Sequence, residues 1–155
     1  MNKILRMMMA GVVMMGGANQ AMAECFDIKG KVLTSTINPT TQLGTIEISG
    51  AAGDLEGAIL GQITGSNTSA LPMITYLDHT IVFPRKGGVI TRNDVAELTP
   101  VANDACKFKV KERLNIIAGT GKFSGASGTG TALGSVNFCT GDNKFFISIS
   151  LCTNP

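Results

Sequence analysis

Between Cys106 and Ala118 the chain alternates between basic and apolar side chains, with Glu112 as the exception on the apolar side. Lys107, Lys109, Lys111 and Arg113 fall on one side, and Phe108, Val110, Leu114 and Ile116 on the other. A repeat of two is the side-chain period of a β-strand with one buried face, and no helix satisfies it. The same period recurs along the chain. Phe26, Ile28 and Val32 alternate with Asp27, Lys29 and Lys31; Phe145, Ile147, Ile149 and Leu151 alternate with Ser148 and Ser150. No window carries sustained helical periodicity with caps.

Eight strands follow from these runs and the turn residues between them. They are expected at about Cys25–Leu33, Gln42–Ser49, Ala58–Thr64, Met73–Phe83, Val89–Leu98, Cys106–Ala118, Ser127–Phe138 and Lys144–Leu151. Asn38-Pro39, Pro84-Arg85-Lys86-Gly87-Gly88 and Thr140-Gly141-Asp142-Asn143 punctuate them. The fourth run is apolar on both faces, so its inward face is open at this point. Short strands at regular spacing suit an all-β sandwich or barrel.

The first 23 residues have another purpose. Lys3 and Arg6 precede an uncharged, mostly apolar run from Met7 to Ala18, and Ala21-Met22-Ala23 supplies small residues for cleavage. That is the pattern of a secretory signal peptide, too short to span a bilayer. Glu24 precedes Cys25, so the cysteine does not take the lipoprotein position. Cleavage leaves 155 − 23 = 132 residues, 24–155, enough for one domain with its own core. The expected location is periplasmic or secreted, with no membrane span in the mature chain. Net charge is +2 with the leader and near zero without Lys3 and Arg6, which argues against nucleic acid as a partner. The sequon Asn67-Thr68-Ser69 matters only in a eukaryotic secretory pathway.

From Ile116 to Gly134 the chain is glycine-rich, with Phe123 the one large apolar side chain of the connection, placed to plug the end of a core. Gly121-Lys122 fits the middle of a P-loop, but Ile116 and Phe123 stand where glycine and Ser/Thr are needed. A dinucleotide fingerprint fails at Ser124. No cofactor follows from this segment. The string G-T-G-K-F-S-G-A-S-G over Gly119–Gly128 resembles the G-T-G-x-F-x-G-A-x-G signature of the allene oxide cyclase barrel-like superfamily, which includes the dirigent proteins. A weaker likeness extends over about Ile81–Phe138. The resemblance implies an eight-stranded antiparallel up-and-down barrel, and together with the signal peptide the chain reads as an exported, bacterial-type member of that superfamily. It carries no catalytic residue onto this chain.

In such a barrel the start of strand one meets the finish of strand eight, and the start of strand six meets the finish of strand seven. The four cysteines then pair as Cys25–Cys152 and Cys106–Cys139. Cys139–Cys152 is excluded, because an eight-residue strand spans roughly 26 Å and a disulfide needs Cα atoms within about 7 Å. An even cysteine count in an exported chain suits disulfides. A cysteine metal site is disfavoured by the wide spacing and the single histidine.

Two residues stand out as candidates for chemistry. Glu112 falls on the apolar face of strand six, where a carboxyl needs a partner or a raised pKa. It reads as a general acid/base or polar anchor in a cavity, or more blandly as a salt bridge or a residue turned outward by a bulge. His79 is the sole histidine. It follows Asp78 directly, so the two point to opposite faces and form no dyad; the bland reading places His79 at a barrel rim. Arg92 and Asp94 are expected on one face of strand five, in a cross-strand ion pair. No G-x-S-x-G elbow and no carboxylate pair suited to glycoside hydrolysis are present. Trp is absent and Tyr76 is the one tyrosine, which weakens stacking-based sugar or base sites.

The leading expectation is a non-catalytic barrel binding a small apolar ligand or an envelope partner. A cyclase- or isomerase-like enzyme on a lipid-like or phenolic substrate, and an interaction module with a filled core, are the alternatives. A homo-oligomer is compatible with all three.

Overall fold

The computed structural model describes residues 24–50 and 53–153. The expected leader, residues 1–23, lies outside them. Eight strands run in chain order: β1 (Glu24–Asn38), β2 (Thr41–Gly50), β3 (Leu55–Asn67), β4 (Met73–Phe83), β5 (Gly87–Val101), β6 (Asp104–Gly121), β7 (Ser127–Asn137) and β8 (Asp142–Thr153). Each pairs antiparallel with the next, and β1 pairs with β8, so the sheet closes into an up-and-down barrel with no free edge. Most strands are longer than their buried alternation suggests, because the ladder of backbone hydrogen bonds continues past the point where side chains meet the core.

The interior is the inward half of every strand. On β8, Asn143, Phe145, Ile147, Ile149 and Leu151 are buried while their neighbours are exposed. On β4 the inward set is Leu77, His79, Ile81 and Phe83, which settles the strand that was apolar on both faces.

The two ends of the barrel differ. At the end where β1 starts, the connection from β6 to β7 folds inward and Phe123, 1% exposed, seats against Phe83 with ring centroids 5.4 Å apart. Gly121 (φ 61°) and Gly125 (φ 68°) bracket that turn in the left-handed region that favours glycine. Ser124 N–H donates to Gly121 O and Ala126 N–H to Phe123 O. Cys25 is joined to Cys152 at this end, stapling the β1–β8 seam. Cys106 is joined to Cys139 at the other end, where β6 begins and β7 finishes.

Candidate functional site

Among the described residues the buried ionisable side chains gather on one wall, formed by β4, β5 and β6, apart from the neutral pair of Asn143 Nδ2 donating to Thr34 Oγ1 across β8 and β1. His79, Thr91, Asp94 and Glu112 are all buried there. β4 and β6 deliver theirs by plain alternation: His79 follows Leu77 inward, and Glu112 sits between Val110 and Leu114. The rim position expected for His79 is corrected: it lies inside the barrel.

β5 needs an irregularity. Thr91 and Asp94 are three residues apart, yet both face the interior, because the register slips between Thr91 and Val95. Against β4, the step from Leu77 to His79 faces the step from Asp94 to Thr91, so Arg92 and Asn93 together oppose Asp78. This is a β-bulge, the device that re-aims a side chain at the cost of one unpaired residue. Asn93 takes positive φ (57°), as Asn tolerates better than most residues. Outward side chains hold the kink from both sides. Asp78 Oδ1 accepts from Asn93 N–H at 2.9 Å, its Oδ2 lies 3.5 Å from Arg92 Nε, and Asn115 Nδ2 donates to Arg92 O at 3.1 Å. The expectation that Arg92 and Asp94 share a face is therefore overturned. Arg92 pairs outward with Asp78, and Asp94 turns in.

Asp94 is fully buried and collects donors. Its Oδ2 accepts from the Thr91 hydroxyl and lies 2.8 Å from His79 Nδ1, and its Oδ1 accepts from Asn115 N–H at 2.7 Å. This arrangement puts the His79 proton on Nδ1, directed at Asp94, and turns Nε2 toward β3. There Gly61 makes room: a Cβ at that position would stand 3.2 Å from Nε2 and from Cδ2 of the ring.

Glu112 is the opposite case. Its Oε1 is buried and without a hydrogen-bond partner among the described residues, and lies 3.8 Å from His79 Nδ1. Burial pushes the Glu112 carboxyl up to about 7, against the pull of His79 and with a further push from Asp94. Burial alone would lower the His79 imidazole. The hydrogen bond to Asp94 and the negative charges of Glu112 and Asp94 outweigh it, so His79 sits above its ordinary value. Two groups 3.8 Å apart thus each hold a proton more tightly than they would in water, an arrangement common where protons are moved.

The same residues offer one nitrogen and two carboxylates within 4.8 Å of one another, a conceivable cation seat. Asp94 already accepts from Thr91, Asn115 and His79, so the donors in place favour a proton over a metal ion. Glu112 Oε1 alone is left to meet something new.

A cavity of about 90 Å³ lies against this wall. Ile46, Ile59, Ile147 and Ile149 supply apolar lining, His79, Thr91 and Glu112 the polar part, and Gln42, Thr75 and Phe138 its border toward the end away from Phe123. Those three border residues are half-buried or exposed, so the cavity leads toward solvent on that side.

Alternation made His79 and Glu112 identifiable as candidates, and they come together. Thr91 and Asp94 were missed, because period two cannot place both inside. A signal was present nonetheless. Val89 and Leu98 are the inward anchors of β5 and differ in parity, so an extra residue has to stand between them.

No family model matches the chain, and no curated protein matches it. Among solved structures it is similar to the pterocarpan synthase dirigent protein GePTS1, at 14% identity and a TM-score of 0.52, over 97% of this chain and 100% of that one. At that identity the likeness is one of fold, and the fold is the dirigent-like closed barrel that the Gly119–Gly128 motif implies.

Proposed function

We propose that the barrel binds a small, largely apolar ligand whose single polar group meets Glu112 and His79. The observation that carries this reading is the Glu112 Oε1 atom, buried, unpartnered and beside a cavity. A native carboxyl oxygen left in that state calls for a partner. The cavity volume limits the occupant. An apolar cavity of roughly 150 Å³ accepts benzene. About 90 Å³ therefore suits a smaller molecule, or the tip of a slender one whose remainder passes Gln42 and Phe138. The dirigent-like fold supports a binding role.

A second reading, a cyclase- or isomerase-like catalyst on a lipid-like or phenolic substrate, is favoured by the Asp94–His79 pair. With Nδ1–H held by Asp94, Nε2 is free to take a proton from a bound molecule. Protonated Glu112 can give one to an oxygen of the same molecule, so the ligand's proton count is unchanged.

Native mass spectrometry of the gently purified chain tests the binding reading. The expected result is a co-purified small molecule in the wild type and a depleted one in Glu112→Gln. A bare wild-type protein, with no thermal shift from a panel of short-chain alcohols, carboxylic acids and carbonyl compounds, overturns it. Proton–deuteron exchange into the recovered ligand, lost in Glu112→Gln and His79→Gln, separates catalysis from binding.

A further inference from the structure

The outer surface carries a second constellation, independent of the interior. On β6, β7, β8 and β1 the outward residues fall into rows fixed by the strand register. One row is Lys109, Ser135, Lys144, Leu33; the next is Lys111, Leu133, Phe146, Lys31; the third is Arg113, Thr131, Ser148, Lys29. None of these positions is acidic. Leu133 and Phe146 sit side by side at the centre and are 53% and 59% exposed. Lys144 lies over the Phe146 ring at 5.6 Å. Among the described residues none of the six cations of this face is in an ion pair.

The acidic side chains begin where the face ends. Glu97 stands beside Lys111 on β5, and Glu47 beside Lys31 on β2. Along the strands, Asp27 bounds the face beyond Lys29 and Asp142 beyond Lys144, so the positive zone is the middle of this face.

We propose that this face docks the protein on an anionic phospholipid bilayer, the lysines and Arg113 on the phosphates and Phe146 with Leu133 in the interface between headgroups and acyl chains. Two features support a lipid surface over a soluble polyanion. Exposed apolar side chains ringed by unpaired cations match a boundary that is negative outside and apolar beneath. A nucleic acid or acidic polysaccharide would use the cations and leave Leu133 in water. The aromatic ring, apolar in body and capped by a cation, is also a side chain suited to headgroup depth.

The chain contains no tryptophan, so Phe146→Trp introduces a single tryptophan, excited at wavelengths where Tyr76 does not absorb, at the centre of the face. Its emission should shift to the blue with phosphatidylcholine vesicles containing phosphatidylglycerol, and stay unchanged with phosphatidylcholine alone. High salt should reverse the shift. Lys111→Gln with Lys144→Gln should weaken vesicle binding about thirtyfold, from two lost surface charges. Phe146→Ser should weaken it as well, while Leu60→Ser on the outside of β3 leaves it intact. Equal binding to neutral vesicles, or an emission unmoved by anionic ones, overturns the proposal. So does binding to heparin or duplex DNA that is as tight as to vesicles and indifferent to Phe146→Ser, which would assign the face to a soluble polyanion. Melting curves of each variant confirm that the barrel is folded.

Discussion

The wall made by β8 and the wall made by β5 use the same ladder and reach different ends. β8 keeps one period from Asn143 to Leu151, and its inward side chains below Asn143 are all apolar. β5 breaks period once, between Thr91 and Val95, and that break puts a carboxyl group inside the barrel. The unbroken period of β8 builds container wall, and the break in β5 adds Asp94 to it. A carboxyl delivered by a bulge has its partners built around it: Thr91 from its own strand, His79 from β4 and the Asn115 amide from β6. Glu112, delivered by regular alternation, has none on Oε1.

Removing the bulge's product should have the largest effect. Asp94→Ala strips the acceptor from the Thr91 hydroxyl, the His79 ring and the Asn115 amide, and deletes the hydrogen-bonded carboxylate partner of His79. A cost of about 3–5 kcal/mol is expected, as for breaking a buried ionic pair by deleting one member. Urea unfolding measures it. A loss under about 1 kcal/mol would mean that the kink supports itself without Asp94.

The pH dependence comes next in size. Glu112 has a folded-state pKa raised to about 7 from 4.5, and His79 is raised above 6.5. In both cases the folded state holds its proton more tightly than the unfolded chain. Their stabilising contributions are complete at low pH and fade as pH rises, for Glu112 between about 4.5 and 7 and for His79 through its raised value. Stability should thus fall by up to about 3 kcal/mol from pH 5 to pH 8, and Glu112→Gln should remove most of that slope. A wild-type slope of the opposite sign would show that Glu112 is ionised and stabilised in the folded barrel.

Most of the barrel was legible from alternation, because a strand with one face in the core has to repeat every two residues. Glu112 was legible for the same reason, as the one charge on an apolar face. Asp94 was not, since its position depends on a backbone kink held by Asp78 and Asn115, contacts from neighbouring strands that no local pattern records. The size of the cavity was not legible either. It depends on how large side chains from all eight strands interdigitate, and alternation says only which of them compete for the space.

Ile147→Val, on the regular wall and bordering the same cavity, sharpens the contrast. It should cost about 1 kcal/mol, the usual loss for one buried methylene, and leave the pH slope of stability unchanged. A change in slope would mean that cavity volume, rather than the β4–β6 partners, sets the protonation of Glu112.

The smallest expected effect on stability is at the outward clamp. Asp78 and Arg92 form a partly exposed ion pair at 3.5 Å with side chains 27% and 39% exposed. Such pairs contribute about 0–1 kcal/mol, and water can replace Asp78 as acceptor for Asn93 N–H. Asp78→Ala should therefore barely move the unfolding midpoint. It should still be felt inside. Asp78 is among the charges that raise His79, and it holds the kink that aims Asp94 at the ring. Because His79 is the sole histidine, its ring protons report its titration by NMR without ambiguity. The expected outcome is a His79 titration moved toward lower pH in Asp78→Ala with stability almost unchanged. An unmoved titration would show that the inward arrangement of β5 is held by Asn115 and the barrel core alone.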